Sequence, residues 1–368
     1  MAVFKYFRSG ARLESAIRYN ELYFSENREL NDPNDLMGVY YFEDDVELWS
    51  KLLQRPQADD AWNMSHHVDL RCLKLATQLA DLFKNVSFKS TESIFEVIRK
   101  KEHELATIFT SSLWQGGDKE SNFAFTQDSP AETRAKICIL TLTALLSGGH
   151  NHTFYSVSFS KQALEPKMWA HYADGFKGCA LIYDDHEEKI DLHAHPNSTQ
   201  WATHQLLPVT YLDSEKSIPI LKSATDGVAT KIFSLVQKNS FWDYEQESRL
   251  LITKTDDPRF LAMQGKVPDL PMQRIFHHNY TAIKGVIFGP RCNADYKNKI
   301  LSALRHNRLH AGREKFLALN TELTSRGTVE VADGADYLCD RITDGSSPLS
   351  DADLKNRLNV LNIDQPSK

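Results

Sequence analysis

Residues 242–254, WDYEQESRLLITK, are the stretch of sequence that decides the fold assignment. Its alternating pattern predicts a β-strand with the aromatic side chains on one face. The same alternation puts Glu245, Glu247 and Arg249 together on the other face. Glutamate is depleted in strands, and neighbouring carboxylates on one face repel each other. A strand that carries this pair needs a reason to do so, and a binding cleft is one such reason.

The bulk composition is that of a globular protein. Of the 368 residues, 41% are hydrophobic and 25% are charged, which excludes a disordered or fibrous chain. The net charge of −6 argues against a chain-wide electrostatic nucleic-acid binder but leaves a local basic groove open. There is no signal-peptide pattern at the N-terminus, and no apolar run reaches about 18 residues. With five cysteines and no CxxC pair, the sequence predicts a cytoplasmic protein that contacts no membrane.

Strand patterns lie on both sides of a long segment with helical spacing. Strands are predicted at 3–8, 21–25, 152–160, 178–185, 206–213 and 284–290. Helical spacing dominates from about 45 to 148, which makes the fold α+β with a helical insertion. We predict a single α+β domain over 1–305 and a C-terminal extension over 306–368. The last forty residues are expected to form a loosely attached, partly flexible tail with one short helix at 351–361.

Several short stretches occur in an order that is similar to one bacterial family. They are FKYFRS at 4–9, LYFSENRELNDPND at 22–35, SVSFSKQALEPKMWAHYADGFKGCALIYD at 156–184, KNSFWDYEQESRLL at 238–251 and IKGVIFG at 283–289. Together they resemble the family catalogued as domain of unknown function 2971. That family name carries no activity, so the chemistry has to be argued from the residues.

Polar residues on the predicted strands fall into three groups along the chain: Arg8, then Ser156 and Ser158, then Glu245 and Glu247. This order resembles the arginine, serine and glutamate signature of mono-ADP-ribosyltransferases. The resemblance implies a mixed β-sheet core like the split sandwich of those enzymes. It also implies NAD as a co-substrate, with no metal.

The resemblance gives each of these residues a role that suits its chemistry. Arg8 would bind the NAD phosphates with its planar fork, and the two serines would orient the nicotinamide ribose. Glu247 would bind the ribose and stabilise the positive charge that develops there as the nicotinamide–ribose bond breaks. Glu245 would orient or deprotonate the accepting nucleophile. A carboxylate that binds a ligand contributes little to the stability of the fold, so we expect Glu247→Gln to lower the free energy of unfolding only slightly.

Two further stretches are candidates for ligand contacts. In the helix that carries WAHY, Tyr172 would stack on the nicotinamide or adenine ring, with His171 nearby as a polar contact. The alternative is a helix whose aromatic residues only fasten it to the sheet. The loop NDPND, with Asn31 and Asp32, would close over the ligand, or would form a turn whose side chains satisfy its own backbone.

The acceptor, the biological setting and the activity itself stay open at this point. A transferase of this class would modify a protein or a nucleic acid, as a toxin or defence effector, with or without an inhibitory partner. A metal-dependent nuclease is the first alternative, in which Glu245, Glu247 and Asp184 hold a divalent ion. The second alternative is a non-catalytic binding module, and in the simplest case the glutamates lie on an exposed, ion-paired strand face.

Overall fold

The structure is a computed structural model that describes residues 2–54, 73–89, 92–113, 131–147, 152–194, 198–226, 228–255, 271–309, 316–332, 337–339 and 346–363. Helices and mixed sheets share the fold, so the α+β class is confirmed. The helices are α1 Ala11–Arg18, α2 Val46–Leu53, α3 Leu73–Phe83, α4 Ile94–Lys100, α5 Glu102–Leu113, α6 Ala131–Ser147, α7 Pro166–Tyr172, α8 Ile220–Asp226, α9 Val228–Leu235, α10 Ala294–Leu309 and α11 Asp351–Val360. None of these described helices is long and apolar enough to cross a membrane.

The strands form one large sheet and three small ones. They are β1 Ala2–Phe7, β2 Glu21–Tyr23, β3 Val39–Tyr41, β4 Ser87–Lys89, β5 His152–Ser160, β6 Cys179–Asp184, β7 Lys189–His193, β8 Ala202–Gln205, β9 Leu207–Pro208, β10 Thr210–Leu212, β11 Ser217–Pro219, β12 Gln237–Asn239, β13 Glu247–Thr255, β14 Ile275–His278, β15 Ile283–Phe288, β16 Phe316–Leu323, β17 Val329–Val331, β18 Tyr337–Cys339 and β19 Ser346–Pro348. The large sheet has the order β19-β18-β16-β15-β6-β1-β5-β13-β9, with β17 paired to β16. The three small sheets are β2-β14-β7-β8, β11-β3-β4 and β10-β12.

The large sheet opens at its centre, between β1 and β5. On one side β1 pairs with β6 along its whole length, from Ala2↔Asp184 to Phe7↔Cys179. On the other side β1 meets β5 at the single register Phe4↔Ser160, while β5 continues to pair with β13. The strands therefore diverge after Phe4, and the polar groups of both strand edges face a gap.

Each face of the large sheet buries its own core. Against one face pack α1, through Leu13 and Ile17, and α10. Against the other face packs α7, through the fully buried Trp169. The Trp169 Nε1 donates to the backbone oxygen of Ala163 at 3.1 Å, and its ring meets the Tyr6 ring edge-on. This packing fixes α7 beside the gap, because Tyr6 belongs to β1.

The helical insertion buries a separate core. Helices α2 to α6 pack together around Trp49 and Phe83, with β3, β4, β11 and α8 closing the same cluster. The predicted helical character of 45–148 is therefore observed in the described part of that segment. The division into a domain over 1–305 and an extension over 306–368 stays a prediction.

Two expectations about local structure are wrong. The strand does not begin at Trp242: residues Ser240–Glu245 form a 3-10 helix, which the Asn239 side chain caps. Gln246, with φ of 39°, then turns the chain into β13. The last forty residues are not a loosely attached tail where the structure describes them, since β17 to β19 extend the large sheet. The predicted helix at 351–361 is present as α11, and its Leu358 is buried against the α7 face of the sheet.

Candidate functional site

The gap between β1 and β5 opens into a cavity of about 760 Å³, a volume typical of small-molecule sites. Its walls come from β1 and the start of α1, from β2 and the loop after it, and from β5, α7 and the β12–β13 region. Eight of the nine residues predicted from the sequence line it: Arg8, Asn31, Asp32, Ser156, Ser158, Tyr172, Glu245 and Glu247. The gap in the sheet thus brings together side chains that are far apart in sequence.

One wall of the cavity is backed by a buried guanidinium. Arg249 has no exposed surface and forms two bidentate pairs with its planar fork. Its Nε and Nη2 donate to the two oxygens of Glu247 at 2.7 and 2.8 Å. Its Nη1 and Nη2 donate to the two oxygens of Asp35, both at 2.6 Å. Arginine suits this position because five donors in one plane satisfy two carboxylates at once.

Lys238 is the second buried cation, and it connects the carboxylates. Its Nζ lies 2.6 Å from Glu245 Oε2, 3.4 Å from Glu247 Oε2 and 3.7 Å from Asp35 Oδ2. Burial lowers the pKa of this ammonium, but the three carboxylates outweigh that effect and raise the pKa above its usual value. We call Asp35, Lys238, Glu245, Glu247 and Arg249 the buried ion cluster. Two positive charges in it face three acidic groups.

Glu245 is the acidic group of the cluster that titrates near neutral pH. Burial and the neighbouring Glu247 raise the pKa of Glu245 to about 7, against the opposing effect of Lys238. The Tyr172 hydroxyl donates to Glu245 Oε1 at 2.5 Å, and the Asn31 side chain hydrogen bonds to the same hydroxyl. A carboxyl group with this pKa, open to a cavity, is suited to general acid or base chemistry.

Glu247 behaves differently although it lies only two residues away. Burial disfavours its charge, yet Arg249 and Lys238 hold the pKa of Glu247 far below its usual range. The Ser158 hydroxyl donates to the same carboxylate, and the Glu247 backbone N–H donates to the Tyr211 hydroxyl at 2.8 Å. Glu247 is therefore an ionised carboxylate in a fixed orientation at any ordinary pH.

Ser156 and Arg8 contribute polar groups that other parts of the protein do not fully use. Ser156 is 2% exposed, and its Oγ has no hydrogen-bond partner among the described residues. Such an orphaned hydroxyl is rare in a folded protein, and a bound ligand is one explanation for it. Arg8 lies just beyond β1, is exposed, and donates from Nη2 to the backbone oxygen of His171 at 3.2 Å.

The structure departs from the sequence-based expectations at several residues. His171 does not line the cavity: its exposed ring lies beside Trp242 and Tyr244. The Asp32 side chain accepts from the Asn34 backbone N–H at 2.9 Å, which is the self-satisfied turn that we gave as the alternative. The glutamates do not lie on an exposed strand face, because the cluster is buried.

Four residues of this region were missed by the sequence analysis: Lys5, Arg12, Asp35 and Lys238. Asp35 was treated only as part of the loop NDPND, and Lys238 only as the first residue of KNSFWDYEQESRLL. Lys5 was not singled out because it lies within a short, otherwise apolar predicted strand. The sequence did contain one signal for Lys5, which is the lysine within FKYF. A charged residue between aromatic residues on a strand indicates a buried polar contact or a cleft.

The ion cluster changes the expected effect of Glu247→Gln on stability. Because the substitution removes the charge that Arg249 and Lys238 face inside the protein, we now expect a loss of about 3 kcal/mol or more in the free energy of unfolding. Urea denaturation measures this loss. Glu92→Gln is the matched control, since Glu92 forms an exposed pair with Lys100 at 3.0 Å and exposed pairs contribute less than about 1 kcal/mol. Equal stability of the two variants would contradict a buried ion cluster.

The raised pKa of Glu245 predicts a specific dependence of stability on pH. Between the usual glutamate pKa and the folded value of about 7, the folded protein binds more protons than the unfolded chain. The stability that protonated Glu245 contributes is therefore complete at low pH and is lost as the pH rises through about 7.

In Glu245→Gln this dependence should disappear. The difference in unfolding free energy between wild type and Glu245→Gln should then change between pH 4.5 and 7 by on the order of 3 kcal/mol. Urea denaturation of both proteins across that range measures the difference. A constant difference would show that Glu245 does not titrate near neutral pH.

Part of this region matches a known protein family. A family described as "Protein of unknown function (DUF2971)" matches residues 168–250. No curated protein and no solved structure matches the chain. The matched segment includes Tyr172 and every member of the ion cluster except Asp35. The resemblance to the DUF2971 family is confirmed over residues 168–250.

Proposed function

We propose that the protein is an NAD-dependent mono-ADP-ribosyltransferase whose active site is the cavity between β1 and β5. The observation that carries the proposal is the convergence of Arg8, Ser156, Ser158, Glu245 and Glu247 on one cavity. These residues come from three strand regions that are separated by long stretches of sequence. Their meeting at a gap in the sheet supports a ligand site more strongly than any one of the motifs does.

The residues present fit such a substrate. NAD supplies an activated ribose, a diphosphate and a nicotinamide that leaves as a neutral molecule. The partnerless Ser156 Oγ and the Ser158 hydroxyl offer hydrogen bonds to a ribose hydroxyl. Arg8 offers charge for a phosphate. The ionised Glu247 offers negative charge where the ribose becomes positive.

The two glutamates divide the chemistry between them because their environments differ. Arg249 and Lys238 hold Glu247 ionised and immobile, so its orientation costs no reorganisation during the reaction. Glu245, with a pKa of about 7, accepts the proton of the attacking nucleophile at Oε1 or Oε2. Tyr172 and Lys238 each hold one oxygen of that carboxyl group. Neither glutamate determines whether the acceptor is a protein or a nucleic acid.

The nuclease alternative loses one of its expected ligands. Asp184 lies at the far end of β6, opposite Ala2, and pairs there with Lys284 at 3.3 Å. Lys238 occupies the position between Glu245 and Glu247 where a metal ion would have to lie. The described residues contain no group of three acidic, histidine or cysteine side chains arranged to hold a metal ion. No observation of the site favours the nuclease.

Labelling with NAD tests the proposed function. Purified protein is incubated with NAD and a cell extract as the source of acceptors, and both nicotinamide release and ADP-ribose incorporation are measured. We expect Glu245→Gln to lower both rates by about 100-fold or more, since it removes the proton acceptor. Below pH 7 the wild-type rate should fall as Glu245 becomes protonated.

Ser156→Ala is the matched variant for binding. It removes a buried hydroxyl that has no hydrogen-bond partner in the described part of the chain, so the free energy of unfolding should not fall. If the hydroxyl binds the ribose, NAD affinity should drop by about tenfold. Absence of NAD turnover in the wild-type protein with extract, or wild-type rates in Glu245→Gln, would contradict the proposed function.

A further inference from the structure

A second group of charges lines the cavity where β1 leads into α1. Lys5 and Arg8 belong to the β1 side, and Arg12 lies in the first turn of α1. The backbone of residues 9–11 lines the cavity between them. We call Lys5, Arg8, Arg12 and this stretch of backbone the α1 subsite. None of its three cations takes part in the buried ion cluster.

None of the three cations forms an ion pair with a described carboxylate, although Glu247 acts on Lys5 and Glu29 on Arg12 from a longer distance. Arg8 donates to a backbone oxygen, and the Lys5 Nζ donates to the Ser158 backbone oxygen at 3.2 Å across the gap. Arg12 lies over the ring of Tyr23, 4.6 Å from its centre. No carboxylate in the described part of the chain lies within ion-pair distance of these side chains. Positive charge that lines a cavity and is not tied up in an ion pair is a feature of anion sites.

The nearby carboxylates are mostly held elsewhere. Glu29 accepts from Arg274 at 2.9 Å and from the Tyr23 hydroxyl at 2.7 Å. Glu14, in the first turn of α1, is held by Lys299 at 2.5 Å. Glu21 and Glu29 both line the cavity, so the three cations of the subsite face two nearby carboxylates, of which Glu29 is already paired with Arg274. The balance remains in favour of an anion.

The start of α1 adds donors to these charges. Its N-cap residue is Gly10. No described side chain caps the backbone N–H groups of the first turn, which leaves them open to an anion, and the helix dipole favours negative charge there. The partnerless, buried Ser156 Oγ lines the same cavity. It independently indicates that the cavity is built for a ligand with polar groups.

We propose that the α1 subsite binds the diphosphate of the nucleotide substrate, with Arg12 and Lys5 as phosphate contacts in addition to Arg8. This inference rests on the proposed function for the identity of the nucleotide, but its chemistry requires only two linked phosphates. Burial lowers the pKa of Lys5 to about 8 against the opposing effect of Glu247, and Arg12 adds to the decrease. An anion bound between them would restore the balance of charge. Tyr23 holds the Arg12 guanidinium at the edge of the cavity, where it reaches an incoming phosphate.

The test uses inorganic pyrophosphate as the probe, titrated by calorimetry into the full-length protein at low salt. We expect saturable binding that is tighter than binding of inorganic phosphate. Arg12→Gln should weaken pyrophosphate binding by about tenfold, as the loss of one charged hydrogen bond does. Lys5→Met should act in the same direction. Arg18→Gln is the matched control, because Arg18 is an exposed arginine in the last turn of the same helix and does not line the cavity.

The outcomes separate this proposal from the proposed function. Loss of affinity in Arg12→Gln, with Arg18→Gln unchanged, supports the subsite even if the protein does not cleave NAD. No pyrophosphate binding in the wild-type protein, or equal affinity in the two arginine variants, would overturn the subsite. That result would leave NAD cleavage by Glu245 and Glu247 standing. ADP-ribose should compete with pyrophosphate, and failure to compete would place the anion elsewhere and contradict the proposal.

Discussion

The forked contacts of the Arg249 guanidinium are the interaction on which the rest of the site depends. One fork holds Asp35 and the other holds Glu247, so a single side chain ties the loop after β2 to the start of β13. Removing either carboxylate would leave the buried guanidinium with only one of its two partners, which is expected to cost several kcal/mol. The cluster therefore fixes the loop, the strand and the cavity wall together. It also explains how Glu245 and Glu247 can lie side by side: each is paired with a buried cation, and the pKa of Glu245 is raised whereas that of Glu247 is lowered.

The opening between β1 and β5 is the second constraint. A sheet that stays paired satisfies its own backbone, whereas one that opens leaves strand edges that need water, side chains or a ligand. Here Lys5 satisfies the Ser158 backbone oxygen across the gap, and Ser25 pairs with Ser156 at the other end of it. The gap is thus held open by specific contacts. The proposed active site lies there because the cavity opens between the unpaired parts of β1 and β5.

Much of the fold could be predicted from the sequence, because most of its elements follow apolar periodicity. The alternation in HTFYSVSFS gives β5 with its observed bounds, His152–Ser160. The spacing of Met168, Trp169 and Tyr172 gives α7. The strand beginning at Trp242 was wrong because an Asn cap and a left-handed Gln246 depend on local turn geometry that periodicity does not record. Asp35 and Lys238 were missed because a buried ion pair is a long-range contact, and nothing in either local sequence shows that the other is near.

We propose a nucleotide site in the gap of the sheet, with the ion cluster at its wall and the α1 subsite beside it. The most direct measurement is a crystal structure of the protein with a non-hydrolysable NAD analogue. We predict the nicotinamide ribose against Glu247 and Ser156, and the diphosphate between Arg8 and Arg12. An analogue bound outside the gap between β1 and β5, or a gap that stays empty at saturating analogue, would contradict the account.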